Sequence, residues 1–181
     1  MWAVERAKDI ASPRIADVCT GSGCMAISLA KLLQGAEITA TDISDDAIAL
    51  ANENAEKLGA KVNITKDDAL GGLQALQGRE WDIIVSNPPY IPLSEQESMH
   101  INVTNHEPHI ALFVEDSDPL LFYRAIARSA KELLSEEGCL LFEIHSPLAT
   151  ECLDMLKEEG YTRYGIECDA NQKERIVWAQ L

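Results

Sequence analysis

The fold is decided by the stretch "DVCTGSGCMA", residues 17 to 26. It begins inside the apolar run "RIADV" at 14 to 18, which has the length and composition of a buried strand, and it leads into a helical segment near 23 to 34. Gly21, Gly23 and Ala26 fit the pattern GxGxxG/A, whose small residues permit a tight turn, close approach of the backbone to a ligand, and packing of the helix on the strand. The stretch therefore predicts the first strand, turn and helix of an α/β fold that binds a nucleotide-type ligand.

Outward from this turn, strand-length apolar runs alternate with helical segments, which is the pattern of a mostly parallel sheet covered on both faces. Strands are predicted near 14 to 18, 37 to 42, 61 to 65, 81 to 86, 138 to 144, 161 to 168 and 174 to 180. Helices are predicted near 23 to 34, 45 to 58, 119 to 135 and 147 to 159. The last two strands are joined by "DANQK" without a helix, so we expect an antiparallel hairpin at the sheet edge. A chain of 181 residues can bury one continuous core, and we expect a single domain spanning 1 to 181.

Two of the predicted helices carry start signals. Ser44 can cap the second helix, because a serine oxygen accepts hydrogen bonds from free backbone N–H groups in the first turn. Asp118 followed by Pro119 combines a cap with a proline at the first helical position. We therefore expect the third helix to begin at Pro119.

Two acidic positions extend the ligand site beyond the glycine turn. Asp42 lies about 20 residues after the turn, at the end of the second strand, where a carboxylate can accept hydrogen bonds from both hydroxyls of a ribose. Asp68, in "KDDAL" after the third strand, is placed for the adenine end, and Asp67 beside it could take the same role. The spacing does not separate a dinucleotide from S-adenosylmethionine.

The stretch "VSNPPYIP", residues 85 to 92, indicates a second site. The carboxyl end of the fourth strand faces the same crevice, which puts Asn87 beside the ligand. The Asn87 side-chain oxygen and the Pro88 carbonyl are two acceptors suited to a planar NH₂ group, since consecutive prolines remove backbone donors. Tyr90 offers a flat ring on which that group can stack. A long irregular segment, 87 to 118, follows, and loops of such length are usually functional.

Composition limits the classes of partner and compartment. The net charge of −15 weighs against a partner held mainly through phosphates, which needs a lysine and arginine footprint. The five cysteines form no CxxC pair, so we expect reduced thiols. No apolar run approaches the roughly 20 residues of a membrane helix, and no leader pattern opens the chain, so we expect a cytoplasmic protein. The motif "HEPH" at 106 to 109 lacks a third ligand at metal-binding spacing, and we expect no metal.

The motifs "DVCTGSG", "TDIS", "SNPPYIP" and "EPHIAL", in this order and spacing, resemble those of the PrmC/HemK family of protein-glutamine methyltransferases. The resemblance covers nearly the whole chain, and "EPHIAL" is its most discriminating part because NPPY is shared with enzymes that methylate amino groups of nucleic-acid bases. It implies a class I S-adenosylmethionine-dependent methyltransferase with a Rossmann-like seven-stranded sheet. The implied reaction is methylation of the side-chain amide nitrogen of the GGQ glutamine in peptide-chain release factors.

The resemblance also implies roles for individual residues. The cofactor would be bound by Cys19, Thr20, Gly21, Ser22, Gly23, Asp42, Asp68, Ala69 and Asn87. The catalytic motif is Asn87, Pro88, Pro89 and Tyr90, and the substrate would be bound by Asn87, Pro88, Tyr90 and Glu107. A structural ion pair is an equally good role for Glu107, and Arg175 in the last strand is expected to be structural.

Departures from the family pattern keep other functions open. The chain reaches its first strand after about a dozen residues, so the family's small N-terminal helical domain and its "PRPETE"-like segment are not found. "FVEDSDPL" at 113 to 120 stands where the family often has a glycine-rich stretch, and "FEIHSPLA" at 142 to 149 lacks the family's usual glycine and glutamine. These changes could alter the rim of the substrate pocket. The alternatives are an amino-methyltransferase acting on adenine or guanine in nucleic acid, a dinucleotide-dependent oxidoreductase, and a fragment or degenerate module that only binds.

Overall fold

A seven-stranded sheet organises the structure, a computed structural model that describes residues 2 to 94, 113 to 169 and 171 to 181. The strands of this sheet lie in the order β3, β2, β1, β4, β7, β9, β8. Their bounds are β1 Arg14–Val18, β2 Glu37–Asp42, β3 Asn63–Lys66, β4 Trp81–Ser86, β7 Leu134–Glu143, β8 Arg163–Cys168 and β9 Glu174–Gln180. The first five strands of this order, β3, β2, β1, β4 and β7, pair in parallel, whereas β9 pairs antiparallel with both β7 and β8. The predicted α/β class and the C-terminal hairpin are confirmed.

Four of the helices lie close to the predicted ranges, whereas a short helix before the first strand was not predicted. Their bounds are α1 Trp2–Ala7, α2 Cys24–Leu32, α3 Asp45–Leu58, α4 Leu121–Leu133 and α5 Ala149–Glu158. The predicted cap of α3 is confirmed, because the Ala47 N–H donates to the Ser44 Oγ at 3.3 Å. Gly59 closes the same helix in the left-handed conformation, with φ of 61°.

The predicted start of the third long helix is wrong. α4 begins at Leu121, two residues after Pro119, and no side chain caps it. The Asp118 carboxylate instead accepts two hydrogen bonds from Arg124 Nη1, at 2.8 and 3.1 Å. A charge-assisted pair of this kind is stronger than a neutral cap, which is why the aspartate turns away from the helix end.

The helices bury both faces of the sheet. On one face Ile126 of α4 and Leu156 of α5 are fully buried, and on the other Ala7 of α1 and Leu29 of α2 are buried against the strands. Each fully buried leucine or isoleucine contributes about 1.5 to 3 kcal/mol relative to an exposed one. This core fixes the strand ends that carry the candidate site.

The segment predicted to be irregular, 87 to 118, contains a short strand in each of its two described parts, 87 to 94 and 113 to 118. Ile91–Pro92 (β5) and Phe113–Val114 (β6) pair in parallel as a separate two-stranded sheet. Beside them, the Ser94 N–H and hydroxyl both donate to Asp116 Oδ1, at 3.0 and 2.9 Å. Residues 91 to 94 and 113 to 116 therefore lie side by side. The predicted motif "EPHIAL", with Glu107, lies outside the described residues.

No helix within the described ranges combines the length and the apolar composition needed to cross a membrane.

Candidate active site

Three neighbouring strands end at the same edge of the sheet, within one residue of a common row. Val18 of β1 pairs in register with Thr41 of β2 and with Ser86 of β4. The residue after Thr41 is Asp42, the last residue of β2, while Cys19 and Asn87 directly follow β1 and β4. Adjacent strands lie about 4.8 Å apart, so the three positions leave the sheet within about 10 Å of one another. The structure thus brings the glycine turn, the acidic residue and the NPPY motif to one edge.

The glycine turn between β1 and α2 adopts the conformation that its sequence predicts. Gly21 and Gly23 have φ of 55° and 79°, in the left-handed region that favours glycine. A Cβ on Gly21 would meet nothing within 4 Å, whereas a Cβ on Gly23 would lie 3.0 Å from the Ala51 Cβ. Gly21 therefore leaves open space over the turn, and Gly23 allows α2 to pack closely against α3. These are two of the roles expected of the glycine motif.

Asp42 ties this turn to the end of β2. Its Oδ2 accepts the Gly21 N–H at 2.9 Å and its Oδ1 accepts the Ser44 N–H at 3.0 Å. Each carboxylate oxygen has a second lone pair, so the side chain is oriented by the backbone and retains acceptor capacity. Asp42 is only partly buried, and it can offer that capacity to a ligand on the turn.

A buried carboxyl that the sequence did not single out lies beneath the turn. Asp17 is 0% exposed, and its Oδ2 accepts the Thr20 hydroxyl at 2.6 Å and the Ala26 N–H at 3.0 Å. Its Oδ1 is buried and has no hydrogen-bond partner within the described residues. Burial raises the pKa of the Asp17 carboxyl to about 7, although its two hydrogen bonds oppose the shift and the charge of Asp42 adds to it.

The raised pKa of Asp17 predicts a stability that falls as pH rises. Because the folded-state pKa lies above the unfolded value of 3.8, the stabilising contribution of the protonated form is lost progressively as pH rises from that value through about 7. The contribution of this group falls by roughly 3 kcal/mol between pH 5 and pH 8. We expect the change in the free energy of urea unfolding between pH 5 and pH 8 to differ by that amount between the wild type and Asp17→Asn. Identical pH slopes in the two proteins would contradict the assignment.

Cys19 and Ser86 join the ends of β1 and β4. The Ser86 hydroxyl donates to the Val18 carbonyl at 2.6 Å, and it also lies within hydrogen-bonding reach of the Cys19 thiol. Burial, followed by the charges of Asp42 and Asp17, raises the pKa of the Cys19 thiol to about 12. The thiol is therefore protonated at neutral pH, and Cys19 acts in packing and not as a nucleophile. Its left-handed φ of 61° shows that the turn begins at this residue.

The region predicted for an adenine group follows β3. The Asp67 N–H donates to the Asp42 carbonyl at 3.0 Å, which holds this segment beside the turn. The two Asp67 oxygens accept the N–H groups of Asp68 and Ala75, both at 2.9 Å. Asp68 is exposed and its Oδ1 accepts the Leu70 N–H at 2.8 Å, while Ala69 is buried. Asp67 thus shapes the loop, and Asp68 remains the better candidate for contact with a ligand.

The NPPY motif presents an exposed amide above two buried prolines. Asn87 is exposed and its side chain has no hydrogen-bond partner in the described part of the chain, whereas Pro88 and Pro89 are buried. Tyr90 is partly buried and its ring stacks on the His145 imidazole, with ring centroids 5.9 Å apart and planes 14° apart. The prolines therefore hold the loop in place while the Asn87 amide projects from it.

A model of the family described as "Methyltransferase small domain" matches residues 4 to 107. The matched range includes the glycine turn, Asp42 and the NPPY motif. The chain belongs to the methyltransferase small domain family. Membership in this family indicates S-adenosylmethionine as the methyl donor.

The release factor glutamine methyltransferase of Bacteroides thetaiotaomicron is 43% identical to this methyltransferase small domain protein over 166 residues, which are 92% of this chain and 59% of that enzyme. The chain thus spans less than two thirds of the length of the curated relatives that it matches.

Solved structures of other methyltransferases share the fold. A ribosomal protein L11 methylase from Lactobacillus delbrueckii subsp. bulgaricus superposes with a TM-score of 0.66 at 24% identity, covering 99% of this chain and 75% of that one. The hMettl16 catalytic domain in complex with an RNA hairpin of the MAT2A 3'UTR has a TM-score of 0.76 at 17% identity, covering 99% and 67%. At these identities the likeness shows the fold alone.

The residues at the strand ends fit S-adenosylmethionine. Open space lies over Gly21, Asp42 retains acceptor capacity beside it, and the buried Oδ1 of Asp17 has no partner in the described part of the chain. The first two features suit the ribose of the ligand, and a cationic amino acid part beside Asp17 would favour the charged form of its carboxyl. No cluster of three or more potential metal ligands is found among the described residues, a range that omits "HEPH".

Proposed function

We propose that this protein transfers a methyl group from S-adenosylmethionine to the side-chain amide nitrogen of the GGQ glutamine in peptide-chain release factors. The observation that carries the proposal is that Asp42, Cys19 and Asn87 lie on one row at the carboxyl ends of three neighbouring strands. It supports the proposal because the candidate cofactor residues and the exposed Asn87 lie at the ends of neighbouring strands. The relative from Bacteroides thetaiotaomicron, a release factor glutamine methyltransferase, supports this choice of substrate.

The residues proposed to bind the cofactor would form a preorganised site. Asp42, oriented by the N–H groups of Gly21 and Ser44, would accept hydrogen bonds from the ribose hydroxyls. The turn from Cys19 through Thr20, Gly21 and Ser22 to Gly23 would hold the methionine part, and Asp68 and Ala69 would face the adenine. When bound, S-adenosylmethionine supplies an electrophilic methyl group and leaves as S-adenosylhomocysteine.

The NPPY residues would prepare the amide nitrogen. An amide lone pair is delocalised into its carbonyl, so the nitrogen is a weak nucleophile. Asn87 Oδ1 and the Pro88 carbonyl would accept hydrogen bonds from its two N–H groups. The amide plane would stack on the Tyr90 ring. This arrangement aligns the nitrogen lone pair with the methyl group, and such positioning is a large part of the catalytic effect in transfer reactions. After transfer, the surplus proton on the amide nitrogen would leave to water, and the electron pair of the broken S–C bond would remain with the departing S-adenosylhomocysteine.

A nucleic-acid base amine is the second candidate, because NPPY specifies an NH₂ group and because the hMettl16 domain of the same fold is in complex with RNA. The net charge of −15 and the similarity to glutamine methyltransferases favour the protein substrate. Release factors act on ribosomes, so the proposal also implies a cytoplasmic location.

The test is to locate the methyl group. Purified release factor, tRNA, rRNA and DNA are each incubated with the protein and radiolabelled S-adenosylmethionine, and labelled factor is digested and sequenced by mass spectrometry. We expect one methyl group on the GGQ glutamine and none on a factor in which that glutamine is alanine. Labelled nucleic acid with unlabelled factor would favour the rival enzyme. Binding of S-adenosylhomocysteine without transfer to any acceptor would favour a binding module, and tighter binding of NADH would favour an oxidoreductase.

A further inference from the structure

An imidazole lies against the tyrosine of the NPPY motif. The planes of His145 and Tyr90 differ by 14° and their centroids are 5.9 Å apart. Offset-stacked rings have centroids about 4.5 to 7 Å apart, so this is a stacked pair. His145 comes from the carboxyl end of β7, in the stretch "FEIHSPLA" that departs from the family pattern. Tyr90 lies in the loop that follows the neighbouring strand β4, whose last residue, Ser86, pairs in register with Phe142 of β7.

The backbone on both sides of His145 is anchored. The Ile144 N–H donates to the Arg175 carbonyl at 2.9 Å, and the Leu148 N–H donates to the His145 carbonyl at 2.8 Å. The hydroxyl of the buried Tyr123 also donates to the Glu143 carbonyl, at 3.1 Å. The imidazole is therefore attached to a fixed part of the core.

Tyr90 is attached differently. It follows β4 by four residues, in a loop whose shape depends on Pro88 and Pro89, and its ring is only partly buried. A tyrosine ring can rotate about two side-chain bonds unless a neighbour restricts it. The contact with His145, whose backbone is anchored on both sides, adds such a restriction to the packing of Tyr90 against the core.

We propose that His145 is a positioning residue that fixes the plane of the Tyr90 ring, so that the target amide stacks on the ring face opposite the imidazole. The proposal rests on the proposed function, because it concerns the amide that Asn87 and Pro88 would bind. A stacked aromatic pair is worth about 0.5 to 1.5 kcal/mol, or roughly 2- to 13-fold in an equilibrium. A misplaced amide lowers the rate of transfer more than it lowers the affinity for the whole protein substrate.

Two variants of His145 separate stacking from other roles. His145→Leu keeps apolar volume and removes the flat ring, and we expect kcat for methylation of the release factor to fall about 3- to 10-fold, with a smaller change in KM. His145→Phe restores a flat ring without the nitrogen atoms, and we expect kcat near that of the wild type. Unchanged affinity for S-adenosylhomocysteine in both variants is the control for folding. A leucine variant as fast as the wild type, or a phenylalanine variant as slow as the leucine one, would overturn the proposal.

A second measurement tests the stack without activity. In the wild type, the His145 ring protons are assigned by their loss from the NMR spectrum of His145→Leu. Because a stacked ring is shifted by the ring current of its partner, we expect these signals to move in Tyr90→Leu. Signals that stay in place would overturn the stack. A wild type that shows the stack but does not methylate the factor would instead refute the proposed function and leave the ring contact standing.

Discussion

Replacement of Asn87 by alanine is expected to reduce kcat for methyl transfer to a release factor by about two to three orders of magnitude. The Asn87 oxygen is one of two acceptors proposed for the target NH₂ group, and its side chain is exposed above buried prolines. Loss of one preorganised hydrogen-bonding group in an active site typically costs about 10²- to 10³-fold. Because Asn87 is exposed, we expect the free energy of unfolding to change by less than about 0.5 kcal/mol. The rate is measured by mass spectrometry of the factor over time.

The control for Asn87→Ala is another exposed asparagine. Asn52 is suitable because its side chain donates only within its own helix, to the Ile48 carbonyl at 2.8 Å. Asn54 is unsuitable, since its side chain donates to the Ser22 carbonyl at 2.9 Å and so supports the glycine turn. We expect Asn52→Ala to retain the wild-type rate. If Asn87→Ala did so too, the role given to the NPPY motif would be wrong.

Local sequence signals predicted most of the fold. The bounds of β2, β4, β9 and α3 agree with the predicted ranges, because each is a strongly patterned run closed by a clear signal such as Ser44 or Gly59. The start of α4 was wrong because the Asp118 carboxylate pairs with Arg124, six residues further along. Which of two partners an aspartate takes depends on side-chain geometry that a capping pattern does not contain.

The candidate site was predictable only in part, for a similar reason. Asp42 follows from its distance to the glycine motif, although its orientation by two N–H groups does not. The burial of Asp17, the bond from Ser86 to β1 and the stacking of His145 on Tyr90 all depend on which strands are neighbours. The one available signal was the position of Asp17 and Ser86 at the ends of adjacent predicted strands. Polar residues at such ends are candidates for contact across the sheet edge.

Gly23 is the position where the smallest substitution is expected to damage both stability and cofactor binding. Gly23→Ala places a Cβ 3.0 Å from the Ala51 Cβ and 3.1 Å from the Ile27 Cδ1, at a φ of 79°. The left-handed backbone costs about 1 to 2 kcal/mol for a residue with a Cβ. Overpacking against α3 adds about 1 to 3 kcal/mol. We therefore expect the free energy of unfolding in urea to fall by about 2 to 5 kcal/mol.

Two further variants separate the backbone strain at Gly23 from the overpacking against α3. Gly59→Ala is the matched control for backbone strain, because Gly59 has φ of 61° and a Cβ there would meet nothing within 4 Å. In Gly59→Ala the free energy of unfolding should fall only by the backbone cost of about 1 to 2 kcal/mol. This variant should bind S-adenosylhomocysteine like the wild type. Ala51→Gly in the Gly23→Ala background removes the atom at 3.0 Å, at a helix-interior cost of about 1 kcal/mol.

The cofactor affinity gives the sharper result. Shifting α2 away from α3 moves the turn that ends at Gly23, and the N–H of Gly21 can then no longer hold Asp42 in its present orientation. We expect calorimetry to show at least about a tenfold loss of S-adenosylhomocysteine affinity in Gly23→Ala, as for a bond worth about 1.5 kcal/mol. Ala51→Gly should recover most of it. If Gly23→Ala and Gly59→Ala bound the cofactor equally well, close packing of α2 on α3 would not be what positions the turn.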